Sequence, residues 1–330
     1  MKKNTVNLIS LAGNLFSLKA LMHATGKANI CLFYHSVNDT APAHLKQLYR
    51  PRTSKEFISD LDYLSRHFDF ISTAEISGKG GSTEKPTLHL SFDDGLKACY
   101  ELIYPLLMQK GIPATFFVNP SFVDNHNMFH CHKASLLKAA FLEHRVALQN
   151  ENGEAIAESS FLKHITGIKG FSNNHYQQLA EQLGVNFETY LRAHQPYLNL
   201  EQIKKMKSDG FEFGGHTLTH PLLKGLPEAD QLAEISGSMQ WLKENNIGND
   251  GYFAFPFNDT GISQQLFFKM KALGITQSFG TSGMKADVFD THHHRICFEN
   301  SGKQAARLLK QQLFKYRVLK LMGKNKIARH

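Results

Sequence analysis

What this chain lacks narrows its class before any motif is considered. Its four cysteines, Cys31, Cys99, Cys131 and Cys297, form no C-x-x-C pair and no close cluster. That argues against a disulfide framework or a thiolate zinc site, and fits a reducing compartment. No stretch approaches the roughly 18 apolar residues of a membrane-spanning helix. The opening MKKNTVNLISLAGNLFSLKALMHATGKA starts basic, but Asn7, Ser10, Asn14, Ser17 and Lys19 interrupt it before a signal-peptide core of about 7–15 apolar residues forms. It reads as an amphipathic segment over 1–28, and the expected location is the cytoplasm. Acidic residues are missing altogether after Glu299, where nine Lys and Arg follow. Those nine carry the whole net charge of +8 and leave the body close to neutral, so a nucleic-acid-binding body is not expected.

What is present is an ordinary globular composition, 42% hydrophobic and 20% charged, with 330 residues to bury a sizeable core. Strand-like runs alternate with helical ones. ANICLFYHSV, TLHLSF, ATFFV, FEFGG, GYFAFPF and ITQSFG read as strands. Between them SKEFISDLDYLSRHF, LKACYELIYPLLMQK, NLEQIKKMKSDG, EADQLAEISGSMQWLKENN and SQQLFFKMKALG show helical spacing. Such alternation implies parallel strands with crossover helices, hence an α/β fold. About seven units suit a distorted (β/α) barrel over 29–300, whose site lies at the strand C-terminal ends. Residues 121–199 are polar and mainly helical, and read as an insertion in that barrel, suited to capping its mouth. The tail, 301–330, alternates Leu, Phe and Val with Lys and Arg. It fits a basic amphipathic helix, either lying on an anionic membrane surface or packed on the barrel.

Three strand ends concentrate polar chemistry: SFDDG (91–95), GGHTLTHP (214–221) and FAFPFND (253–259). His216 and His220 have i,i+4 spacing, which on a helical turn points both rings the same way. Taken alone the pair says little: 18 histidines give about one H-x-x-x-H by chance, and His126 with His130 is a second. Adding Asp94 completes a His, His, Asp set, the usual shell of a catalytic zinc with an open position. Strand alternation sends Asp93 another way, free to take a proton from water as general base. The cluster of His130, Cys131 and His132 fits no standard zinc spacing.

In order and together, LSFDDG, GGHTLTHP and FAFPF resemble the first three motifs of the polysaccharide deacetylases, the NodB-homology group of carbohydrate esterase family four. CLFYHSV resembles the opening strand, YELIYPLLMQKGIPATFFV the stretch after the aspartates, and HHHRI a closing strand. The likeness spans roughly 30–300 apart from much of the insertion. It implies a metal-dependent hydrolase, most simply a Zn2+ enzyme, that removes an acetyl group from an N-acetylated sugar of a polysaccharide or its precursor, and a tail that met a membrane would make that precursor a lipid-linked one. It assigns Asp93 as base, Asp94, His216 and His220 as metal ligands, and the Phe257 N–H, aimed by Pro256 at the substrate, as oxyanion donor.

Two family features are missing. The third motif has no arginine, and Arg295 of the last strand is the expected stand-in beside Asp93. The late leucine–x–histidine is absent, and among His292, His293 and His294 the last is the expected acid for the leaving amine. His35, ending the first strand, is a further pocket residue. These departures leave two other readings open: a non-catalytic carbohydrate-binding relative, and a barrel amidohydrolase acting on a non-sugar amide. If the tail meets a membrane, the protein sits on its inner surface.

Overall fold

The computed structural model describes residues 11–76, 85–150, 152–167, 172–248, 250–299 and 302–329. Its framework is parallel: β1 (Asn29–Tyr34), β2 (Asp69–Ile71), β3 (Thr87–Phe92), β4 (Thr115–Val118), then, past the insertion's hairpin of β5 (Leu148–Gln149) and β6 (Ala155–Ile156), β7 (Glu212–Gly215), β8 (Tyr252–Ala254), β9 (Gln277–Gly280), β10 (His292–His294) and β11 (Ile296–Cys297). The sheet runs β10-β9-β8-β7-β4-β3-β1-β11, and β2 pairs with the first half of β3 ahead of β4. β10 and β11 stand at opposite ends of that order, yet only Arg295 separates them in the chain. One segment therefore pairs with β9 through His292–His294 and with β1 through Ile296–Cys297. Counting it once, the barrel has the expected seven staves.

Helices follow their sequence signals. Ser54–His67 starts with a reciprocal cap between Thr53 and Glu56, and Tyr104–Lys110 ends on Gly111 at φ 62°. Cys99–Ile103, just before it, is wound as a wider π turn. The largest core cluster lies between staves and helices, where Phe92, Phe116 and Phe213 stack in a row under Leu61, Leu107 and Met206. Each such ring is worth about 1.5–3 kcal/mol of transfer free energy.

The insertion is mainly helical as expected, through His130–His144, Glu158–His164, Asn173–Gln182 and Phe187–His194. It holds its own cluster around Leu137, Phe141, Phe161 and Tyr176. The short β5–β6 hairpin is the one strand pair that hydropathy did not signal there; two-residue strands leave no alternation to read.

The tail differs from the membrane-surface expectation. Ala305–Leu321 is a helix, but Leu308, Leu309, Leu313 and Tyr316 are buried in the main core, so its apolar face is taken by the barrel. The N-terminal helix Leu18–Thr25 packs against it with Leu18, Leu21 and Met22 buried. Residues 1–10 of the predicted N-terminal segment lie outside the described residues. Among the described residues no helix is long and apolar enough to cross a membrane.

Candidate active site at the barrel mouth

The two adjacent aspartates leave β3 by a device that strand alternation does not predict. His89 and Ser91 point into the barrel, and Asp93 continues that face. By alternation Asp94 would point outward, away from any partner. Instead Asp94 has φ 70° and Gly95 φ 59°, a left-handed turn that swings the second carboxylate back over the mouth. A left-handed Asp costs about 1–2 kcal/mol. Asp tolerates the conformation better than most residues. Both carboxylates thus serve one site, and His216 Nε2 lies 4.0 Å from Asp93 Oδ2 and 3.4 Å from Asp94 Oδ1.

The histidine pair is brought together by a loop and not by the helical turn its spacing suggested. After β7, Thr217 and His220 both take positive φ, at 67° and 59°. The buried Asn119 side chain at the end of β4 donates to the His216 and Thr217 carbonyls, and the His220 N–H donates to Thr217 Oγ1 at 3.1 Å. His216 Nδ1 sits 2.8 Å from the Ala254 carbonyl, which fixes the N–H there and turns the Nε2 lone pair toward Asp94. His220 Nε2 is 3.1 Å from the same Asp94 Oδ1.

Burial opposes the Asp94 charge, yet the two imidazoles hold its carboxyl well below the usual range. Burial pushes His220 downward, toward the neutral ring a metal ligand needs. Asp94 Oδ1 is buried and makes no hydrogen bond of proper geometry, as does His220 Nδ1. Three donor atoms within 4.8 Å of one another, one an orphaned buried oxygen, fit a divalent cation.

Arg295 reaches Asp93 as the sequence suggested. It is fully buried, donates from Nη1 and Nη2 to both carboxylate oxygens at 2.7 and 2.8 Å, and holds Ser91 Oγ at 3.0 Å. Its guanidinium lies 4.5 Å from the Phe33 ring centroid and 5.3 Å from that of Phe117. This paired, hydrogen-bonded, aromatic-lined setting suits Arg and not Lys.

His35 follows β1, and the register Tyr34↔Phe92 sets it beside Asp93. Its Nδ1 is 2.6 Å from Glu299 Oε2, and Glu299 also accepts from the N–H of His35 and of Ser36 at 2.7 Å. Burial lowers the ring's pKa, but Glu299 and the two aspartates more than offset it and raise it to about 9. A quarter of the ring remains exposed at the mouth.

Phe257 has φ 54° just after Pro256, and among the described residues nothing accepts from its N–H. Its ring lies 4.7 Å from that of His220, and Phe129 of the insertion covers His220 from another side at 4.2 Å.

This arrangement has relatives. Residues 80–278 match the family described as polysaccharide deacetylase. The chain belongs to the polysaccharide deacetylase family. Among solved structures it is similar to the deacetylase PplD of Streptococcus pyogenes, solved with acetate, at 16% identity and TM-score 0.57 over 86% of this chain and 97% of that one. IcaB from Ammonifex degensii matches at 18% identity and TM-score 0.55, over 87% and 98%. A de-N-acetylase from Aggregatibacter actinomycetemcomitans matches at 16% and 0.54, over 85% and 99%. These likenesses establish the fold. No curated protein matches the chain by sequence.

Within this deacetylase, His294 does not join the site. Arg295 and His293 face the barrel interior, so alternation places His292 and His294 on the outer face. There His294 Nε2 meets Asp287 Oδ2 at 3.1 Å, and His292 Nε2 meets Asp259 Oδ2 at 3.1 Å. The expectation that His294 protonates the leaving amine is therefore corrected.

The outer cluster of Asp259, Asp287, His292 and His294 has metal-like spacing, but the deacetylase fills it from its own tail. Residues 325–329 return along the barrel, and Arg329 Nη2 lies 2.5 Å from Asp259 Oδ2 and 2.7 Å from Asp287 Oδ2. Burial works against both carboxylates, yet the histidines and Arg329 hold them well below the usual range. The Cys131 region holds no such group among the described residues, and His132 Nδ1 instead meets the Tyr197 hydroxyl at 2.6 Å.

Sequence reasoning missed Glu299 and Asn119. Each had a faint signal: Glu299 is the last acidic residue before the basic tail, and Asn119 is the first polar residue after TFFV.

Proposed function

We propose that the chain is a metal-dependent N-deacetylase of N-acetylated glycans, with Asp93 as general base. The observation that carries it is the convergence of Asp94 Oδ1 with the Nε2 atoms of His216 and His220 beside an arginine-anchored Asp93. Asp94, His216 and His220 would hold the cation, and their donor set suits Zn2+. When bound, it polarises the acetamido carbonyl and acidifies water.

The protein residues do the rest. Asp93, held by Arg295, takes a proton from the water that attacks the carbonyl carbon. The Phe257 N–H donates to the oxygen that gains charge, and Pro256 fixes the backbone that aims it. His35 gives its proton to the nitrogen as the C–N bond breaks, so acetate and a free amine leave. Its pKa suits that role, because the ring is charged at neutral pH. The missing arginine and late histidine that favoured a non-catalytic relative thus have stand-ins in Arg295 and His35. With the tail's apolar face on the barrel, nothing favours a lipid-linked substrate over a glycan chain.

Acetate release from N-acetylglucosamine oligomers tests the reading. Chelation should abolish it, and one equivalent of Zn2+ should restore it; full activity in metal-free protein would sink the proposal. The His35 assignment has its own signature. A donor must be protonated, so kcat/KM should fall as pH rises through about 9. His35→Gln should lose that limb together with about 10²-fold in rate. An unchanged alkaline limb in the variant would remove His35 from the role.

A further inference from the structure

Beside the metal-ligand loop lies a cavity of about 540 Å³ between the insertion and the loop Thr219–Leu226. Thr219 and Pro221, which flank His220, form one wall, and His130 and Lys133 of the insertion form another. Phe129, with its ring 4.2 Å from that of His220, and His130, with its ring 6.1 Å from that of Phe257, connect the cavity to the mouth. The titratable side chains lining it are His130, Lys133 and Lys224, with no carboxylate among the described residues.

Among the described residues, no carboxylate pairs with either lysine. Among the described residues the contacts of Lys133 are Asn173 Oδ1 at 3.5 Å and the Phe187 ring at 5.7 Å, and Lys224 is exposed. Lys133 is half-buried, and burial pushes its ammonium pKa down. A partly desolvated cation without a counter-charge is costly to keep. Lys133 also sits in the first turn of His130–His144, where the helix dipole disfavours a positive side chain by about 0.3–1 kcal/mol. Two cations facing one cavity next to a reactive centre, with no carboxylate opposite among the described residues, are explained if an anion completes them.

The geometry points to a subsite for a negatively charged group of the substrate, a carboxylate or phosphate on the glycan near the acetamido being cleaved. This rests on the deacetylase reading of the adjoining site and narrows it to anionic N-acetylated glycans. Lys133 and Lys224 are its specificity-determining residues.

Binding to the full chain, measured by calorimetry at low salt, reads the subsite whether or not turnover occurs. Three probes separate the sources: a neutral N-acetylglucosamine oligomer, an oligomer alternating N-acetylglucosamine with glucuronate, and a phosphate-bearing N-acetylglucosamine oligomer. At least one anionic probe should bind about tenfold tighter than the neutral one, and the advantage should shrink with added salt. In Lys133→Gln/Lys224→Gln the ratio should collapse toward one. Lys224→Glu, at an exposed position, keeps the test open if the double variant does not fold; it should cut the same ratio. Equal binding of all three probes, or a preference that survives both variants, would overturn the subsite. Acetate release from none of the probes would instead count against the deacetylase reading.

Discussion

Replacing Asp93 with Asn should lower acetate release by about 10²–10⁴-fold, the usual worth of a positioned general base. Asn keeps the shape and can still accept from Arg295, but it cannot take a proton from water. Metal content should not change, because Asp93 is bound to Arg295 while Asp94 faces the two histidines. The pair of measurements, initial rate and bound metal per chain, separates the two carboxylates. An unchanged rate would remove Asp93 as base, and lost metal would move it into the ligand set.

Arg295→Ala should be the most destabilising single change at the site, by about 3–5 kcal/mol in urea unfolding. The arginine is fully buried, and its loss strands the Asp93 carboxylate without its bidentate partner and leaves a void beneath Phe33 and Phe117. In the double variant Asp93→Asn/Arg295→Ala the loss should be smaller than the sum of the singles, since the stranded charge is then gone. Simple additivity would mean the pair contributes no coupling and that Arg295 acts through packing alone.

The staves and the family motifs were legible because each is written in a short window. Strand periodicity, the DDG and H-x-x-x-H spacings and the capping residues are local. What it misread depended on backbone conformations that spacing does not encode. Asp94 and the His216–His220 loop owe their convergence to positive φ at Asp94, Thr217 and His220. Glu299 meets His35 across 264 residues, a separation that one sequence alone cannot reveal. His294 was misplaced for a simpler reason: three consecutive histidines on a strand must split between its faces, and the inward parity belongs to Arg295. Alternation counted from Arg295 backward would have put His293 inside and His294 out.

The stave formed by His292–Cys297 also sets an order of events. It is the last of the barrel to leave the ribosome, and it must pair on both of its sides at once. Until it docks, β1 and β9 are open edges, and Asp93 is a buried carboxylate with no arginine opposite. Arg295 and Glu299 arrive with that same segment. Because N-terminal parts fold first during synthesis, a nascent chain can bring Asp94, His216 and His220 together well before its Asp93 is anchored. Sealing the barrel and anchoring Asp93 are then one step, and a chain truncated before residue 292 would lack both Arg295 and Glu299.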